Sequence, residues 1–333
     1  MKKAICLLLL SLWAGIAFCQ DIHWSQYNDN PVFQNPANSG KFEGDYRFHA
    51  NYRDQWRSVT VPYMTLSISA DTRIKKYNNI GIGLLFFHDQ AGDGTFRTIE
   101  FQVAPSYSLK LSHDSVHTLR AGIQLGMNHR QLNMSKFSFD NQFNGIIYDP
   151  SLSTNEVYQN QRNTNFSAGT GLVYEWFIHK RKRISAGVGW FNINTPDQGF
   201  YGQKINRDRR VNIFARGQFR MNDELDLMPS FHFNAQGTYK EIIFGTNVRY
   251  ILSERMGDYK ALYAGAFYRN KDAGYISLGM DYHNWFAGIS YDLNFSKLVP
   301  ASRVRGGIEV ALRYIITSSK PKSIIHRICP DFI

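Results

Sequence analysis

Cysteine is nearly absent from this chain: three occur in 333 residues, and two of them, Cys6 and Cys19, fall within the first nineteen. Those nineteen open with Met1-Lys2-Lys3, run on as ICLLLLSLWAGIAF, and stop before Gln20-Asp21. A short positive region, an apolar stretch and a cleavage site read as a secretory signal peptide. Phe18 precedes Cys19, whereas a lipid-modified cysteine normally follows a small residue, so cleavage between Cys19 and Gln20 is expected. Only Cys329 is then left, which excludes an intramolecular disulfide and a cysteine zinc site in the mature chain.

Long apolar runs are also missing. No second one follows the signal, and mean hydropathy is -0.36, which excludes a helical membrane protein because a spanning helix needs about 20 apolar residues. No amphipathic helix stands out, and no nucleophile elbow, P-loop or dinucleotide fingerprint is present. The pair His113 and His117 sits in a predicted turn without the glutamate of a metalloprotease motif. The stretch DQAGDG at 89–94 sets Asp89 and Asp93 beside glycines but lacks calcium-loop spacing and its closing glutamate. A solvated hairpin and a glycine-rich outer loop are the preferred readings. No catalytic residue, metal or cofactor is expected, and nothing points to a lipid hydrolase on a barrel wall.

Acidic residues are outnumbered, 27 against 38 lysines and arginines, and loss of Lys2 and Lys3 takes the formal charge from +11 to +9. Such a balance suits lipid headgroups or polysaccharide, and nucleic acid is not an expected partner of an exported chain.

Aromatics, by contrast, are abundant, at 15% with 19 Tyr and 24 Phe. In YRFHANYR, Tyr46, Phe48, Ala50 and Tyr52 would share one strand face, and Arg47, His49, Asn51 and Arg53 the other. The same alternation recurs in VNIFARGQFR, EIIFGTNVRY and RVRGGIEVALRY, with the charges always on one face. Strands are expected over 45–56, 62–73, 79–88, 96–110, 116–130, 164–177, 183–192, 208–220, 224–236, 239–251, 259–269, 273–282, 284–293 and 303–316. Fourteen segments of this length suit an all-β transmembrane antiparallel up-and-down β-barrel, whose lipid face takes every second residue and whose aromatics form interfacial girdles. A soluble sandwich would rarely need so many strands.

The expected organisation is a signal peptide at 1–19, a periplasmic lead or lumen plug at 20–44, the barrel at 45–316 and a C-terminal periplasmic tail at 317–333. With both ends in the periplasm, the long gaps 131–163 and 193–207 face outward. Lumen charge candidates are Arg120, Arg130, Glu175, Arg216, Arg220, Arg249, Arg305, Glu309 and Arg313, either as a shape-holding ion-pair network or as a selectivity lining. The KRKR run at 180–183 falls in a predicted periplasmic turn, able to meet an anionic headgroup or a periplasmic partner.

An ordered set of short motifs spans nearly the whole mature chain: HWSQY at 23–27, PVFQNPANSG at 31–40, YRFHANYRDQW at 46–56, PYMTLSISAD at 62–71, GIGLLFFHDQAG at 81–92, GAFYRNKDA at 265–273, GISYDLNFSKL at 288–298, GGIEVALRY at 306–314 and ICPDFI at 328–333. The set resembles the PorP/SprF family of outer-membrane proteins associated with type IX secretion in the Bacteroidetes. The matching positions include Asn35, Pro36, Tyr52, Arg53, Gln55, Trp56, Tyr291, Asp292, Cys329 and Pro330. The resemblance implies an outer-membrane barrel, embedded in outer-membrane lipid, that works with periplasmic type IX components to export or hold a large secreted surface protein such as a gliding adhesin. It implies no catalytic centre. At the tail Asp331 stands where the family often has arginine, so a partner contact through that cation is not implied. The alternative is an outer-membrane diffusion pore or solute channel.

Overall fold

The computed structural model describes residues 22–318 apart from 56, 58–60, 75, 78, 93–95, 134–136, 156–160, 201–203, 256–257 and 296–303. Cys19, Gln20, Trp56, Cys329 and Pro330 lie outside the described residues, as do Asp93 and the tail beyond 318.

Fourteen antiparallel strands close into one barrel, each paired with its sequence neighbours and β1 paired with β14. They are β1 (Tyr46–Gln55), β2 (Tyr63–Arg73), β3 (Ile80–Ala91), β4 (Phe96–Lys110), β5 (His117–Gln131), β6 (Arg162–His179), β7 (Lys182–Phe191), β8 (Arg210–Arg220), β9 (Leu225–Gln236), β10 (Tyr239–Arg255), β11 (Asp258–Arg269), β12 (Ala273–Tyr282), β13 (Trp285–Asn294) and β14 (Arg305–Ile316). Closure matters because hydrocarbon offers no partner to an open edge, so every backbone group must be satisfied between strands. No described helix is long and apolar enough to cross a membrane.

The alternation predicts the two faces. In β1, Tyr46, Phe48 and Tyr52 point outward and are 45%, 41% and 38% exposed, while Arg47, His49, Asn51 and Arg53 are buried in the lumen. Outward aromatics gather near both ends of the wall. Tyr46, Tyr107, Trp176, Tyr282 and Trp285 lie toward the end that carries the chain termini, and Phe166, Trp190, Tyr268 and Tyr291 toward the other. These are the two interfacial belts.

Strands β3 and β10 run furthest past their expected ends. β3 reaches Ala91 because Asp89 pairs with Thr98 and accepts from Thr65 Oγ1 at 2.7 Å, so a polar stretch with loop composition continues the ladder. β10 continues to Arg255 through a bulge between Ile251 and Ser253. The long connections 132–161 and 192–209 leave the end opposite the termini, which makes that the outer end, because outer-membrane barrels carry short turns in the periplasm.

Candidate functional site

The lead folds inside the lumen. Residues 22–44 form a 3-10 turn at Tyr27–Asp29, a one-turn helix α1 (Pro31–Gln34) and a second 3-10 turn at Pro36–Asn38. Pro31 and Pro36 begin their turns, where a missing N–H costs nothing. Asn35 caps the second turn by accepting from the Ala37 N–H at 2.9 Å, and its Nδ2 donates to the Val188 carbonyl at 2.9 Å. The wall makes room with glycine. A Cβ on Gly171 would stand 2.2 Å from Asn35 Oδ1, and one on Gly122 would stand 2.4 Å from the Ala37 nitrogen. The Gly122 clash is with backbone, so Gly122→Val should push the second turn off the wall. The expected readout is faster protease cleavage within 30–44 of the folded barrel; unchanged cleavage would contradict this seat.

Three sets of contacts hold the lead along its length. Near the outer end, Ser25 Oγ accepts from Arg53 Nη1 at 2.6 Å and Arg269 Nη2 at 2.7 Å and donates to Asp292 Oδ1 at 2.8 Å, which uses the hydroxyl's one donor and two acceptor sites. The Ser25 and Gln26 amides donate to the two Glu309 oxygens at 2.8 and 2.9 Å, and Tyr275 Oη donates to the Ser25 carbonyl at 2.6 Å. Arg53 pairs with Asp292 at 2.7 Å and Glu309 at 2.8 Å, and Arg269 with Glu241 and Asp292 at 3.2 Å. Gln55, with its amide oxygen turned to the guanidinium, accepts from Arg53 Nε at 3.1 Å.

In the middle the contacts are apolar. Val32 packs with Leu85 and Ala104, and Ala37 packs with Val173 and Phe214. Near the periplasmic end, Asp71 accepts from the Gly40 amide at 2.6 Å and from Arg47 Nε and Nη2 at 2.9 and 2.8 Å, while Arg47 also donates to the Lys41 and Asn38 carbonyls. Lys41 Nζ reaches Glu175 at 3.4 Å and Ser185 Oγ at 2.6 Å.

A cavity of about 10 Å³ remains between the lead and the wall, beside Trp24, Gln34, Asn212, His232, Asn234 and Glu241. Trp24 Nε1, Gln34 Nε2, His232 Nδ1 and Asn234 Oδ1 are buried there without a protein hydrogen-bond partner. Room for about one water among several polar atoms suits ordered water rather than an apolar ligand.

Charges proposed from the sequence thus separate into groups. Glu309 belongs to the outer cluster, together with Arg53 and Asp292, whereas Tyr52 and Tyr291 face outward beside them. Arg313 pairs with Asp281 at 2.7 Å, and Arg249 and Arg181 share Asp226. Arg181 of the KRKR run is therefore turned toward the barrel, while Lys180 stays exposed and reaches Glu254 at 3.0 Å. Arg130 donates to Gln198 in the 192–209 connection. Arg220 and Arg305 lie at strand ends and are exposed, the former paired with Asp223. Arg120, Glu175 and Arg216 face the periplasmic half of the lumen. His117 stacks against Tyr174 and Trp176 in the periplasmic belt. Ser25 and Arg269 were not singled out by sequence; Ser25 stood inside the HWSQY motif, and Arg269 at the end of an expected strand inside the GAFYRNKDA motif.

The two outer connections differ. The 192–209 segment is tied down: Asn163 Nδ2 donates to the Gly199 carbonyl at 2.7 Å, Asn165 Nδ2 to the Asp197 carbonyl at 3.1 Å, and Arg207 pairs with Glu100 at 3.2 Å. The Gly199 and Ile205 amides hold the Asp197 carboxyl below its ordinary value. The described residues of 132–161 bond mainly to one another. Phe143 bridges Tyr148, Asn144 Oδ1 accepts from the Ile146 and Ile147 amides at 3.0 Å, and Gly145 takes the turn at φ 94°. At that tip Ile146 is 85% and Ile147 62% exposed.

Solved structures with a similar fold include the toluene transporter TodX of Pseudomonas putida (TM-score 0.52, 11% identity, 88% of this chain and 94% of that one). A FadL homologue of Pseudomonas aeruginosa (0.51, 11%, 91% and 96%) and the toluene transporter TbuX of Ralstonia pickettii (0.50, 12%, 85% and 92%) are comparable. At these identities the likeness establishes the fold alone. No curated protein matches the chain. The family model described as type IX secretion system membrane protein PorP/SprF matches residues 16–314. A closed fourteen-stranded barrel with its aromatic belts, and a match over nearly the whole chain, lead to one conclusion: this is an outer-membrane β-barrel protein of the PorP/SprF family of type IX secretion.

Proposed function

We propose that the barrel is a docking element rather than a channel, holding a cognate secreted surface protein, such as a gliding adhesin, through its outer loop 131–163. The lead is its lumen plug, and the periplasmic turns meet the secretion apparatus. The observation that carries this reading is the hairpin around Asn144–Ile147, whose apolar tip is held out by its own hydrogen bonds and buried against nothing described in the barrel. Burial of an isoleucine side chain is worth about 1.5–3 kcal/mol, so two at one tip supply a useful anchor. The second outer connection, 193–207, is engaged with the wall and is a poorer candidate for gripping cargo. Against the diffusion-pore reading stands the lead, whose buried residues fill the lumen at three levels. Neither reading needs catalytic chemistry.

Deleting loop 131–163 should release the cognate protein into the medium while the barrel stays folded. The double substitution Ile146→Asp and Ile147→Asp should do the same without shortening the chain. Retention of that protein at the surface in both variants would sink the assignment.

A further inference from the structure

The charges inside the barrel are unevenly balanced. At the outer end every guanidinium of the Ser25 cluster meets carboxylates, two arginines against Asp292, Glu309 and Glu241. At the periplasmic end the ratio reverses. Arg120 on β5, Arg183 on β7 and Arg216 on β8 line the inner wall with Lys41 of the lead, and Glu175 on β6 is the carboxylate that all four surround. Strand register places them side by side: Ser185 stands opposite both Glu175 and Arg216, and Thr118 opposite Glu175.

Only Lys41 of the four cations is within ion-pairing distance of Glu175, at 3.4 Å. Among the described residues, Arg120, Arg183 and Arg216 have no carboxylate so close; Arg183 and Arg216 lie over the Phe177 and Phe214 rings, and Arg120 Nε is buried without a hydrogen-bond partner. The other acids near them do not redress the balance. Asp71 is taken by Arg47, and Asp29, within electrostatic reach of Arg216, offsets one further charge. The surplus is two positive charges. Arg183 is exposed, Arg120 and Arg216 are partly buried and the Lys41 side chain is 9% exposed, so the group leads inward from the periplasmic rim as a basic vestibule, with the second turn of the lead, at Gly122, above it.

We propose that this vestibule is a binding site for an acidic peptide segment of a periplasmic protein. β5 to β8 spans three interstrand spacings, about 14 Å at ~4.8 Å each along the wall, so the backbone positions that carry the cations are spread over more than the width of one phosphate. In an extended peptide, side chains on one face recur about every 6.7 Å, so two or three carboxylates cover that span. Lipid headgroups are on the other side of the wall. Guanidinium groups suit this task because each grips a carboxylate through two parallel N–H bonds. The site rests on the reading of the lead as a plug, since the lead supplies both Lys41 and the roof.

The test uses the full-length purified barrel in neutral detergent and the anisotropy of a rhodamine-labelled hexa-aspartate peptide, with inorganic pyrophosphate as a competing small anion. The wild type should bind the peptide, more weakly as salt rises from 50 to 300 mM. The Arg120→Gln/Arg216→Gln double variant should bind at least tenfold more weakly, the Arg120→Lys/Arg216→Lys variant should fall between it and the wild type, and Arg57→Gln at the outer rim should bind as wild type. Equal binding by the glutamine variant, no binding by the wild type, or capture of pyrophosphate without the peptide would each overturn the proposal. Heat-shifted gel mobility reports that each variant is folded. Bilayer conductance separates the two readings. An ion-conducting wild type that still binds the peptide through these arginines shows that the seated lead does not seal the lumen and keeps the site, and a closed wild type that does not bind removes the site alone.

Discussion

Removal of residues 22–40 should turn a closed barrel into one that conducts ions. Eight-stranded barrels are filled by their own side chains, whereas those of sixteen or more leave an aqueous channel. At fourteen strands the wall alone does not fill the interior, and here the filling comes from the lead: Val32, Asn35, Ala37, Asn38 and Ser39 are all fully buried within it. The wall exposed by deletion carries Arg53, Arg269, Asp292, Glu309, Asn51, Ser67 and Gln102, a surface that takes up water. In planar bilayers the wild type should stay at baseline and the deletion variant should give discrete conductance steps. Equal conductance in both would mean that the lead does not seal the lumen.

The second large effect concerns the outer charge cluster. Arg53, 1% exposed, is bonded to Asp292, Glu309 and Ser25, so Arg53→Met leaves Arg269 as the one cation among the described residues close to three buried carboxylates. Breaking a buried ion pair from one side costs about 3–5 kcal/mol, because the abandoned charge stays desolvated. Denaturant unfolding followed by gel mobility should show that loss, with Arg53→Lys intermediate because an ammonium cannot make the parallel bonds of the fork. A change below about 1 kcal/mol would place the cluster among surface-like pairs instead. Ser25→Ala removes the hydroxyl on which both guanidinium groups converge, at a net of about 1 kcal/mol for a typical hydrogen bond.

How far the sequence foretold this molecule follows from the physics of each part. A lipid-facing wall imposes a period of two on every strand, so Tyr46, Phe48 and Tyr52 declare their face and Arg47 and Arg53 theirs without help from distant residues. Strand ends were legible where apolar alternation stops and illegible at Asp89 and Ser253, where polar residues keep pairing because the adjacent strand, β4 for Asp89 and β11 for Ser253, continues the ladder. Which inward charges meet which was not legible. Arg53 and Glu309 stand far apart in the chain and touch only because β1 closes on β14, and Arg269 joins them from β11 by way of a serine in the lead. Arg120 and Arg216 look like Arg53 and Arg313 in sequence, yet among the described residues the first two meet no carboxylate at close range and the last two do. Secretion itself was never readable from alternation; it came from the ordered motifs, and the family match over 16–314 supports them.

The proposed holding of a partner during type IX secretion is tested by a crosslinked pull-down of the tagged protein from outer membranes, read by mass spectrometry. One large exported protein should be recovered together with type IX components, and the exported protein should be lost when Ile146 and Ile147 are replaced by aspartate. Recovery of the intact barrel alone, under conditions that preserve other outer-membrane complexes, would contradict it.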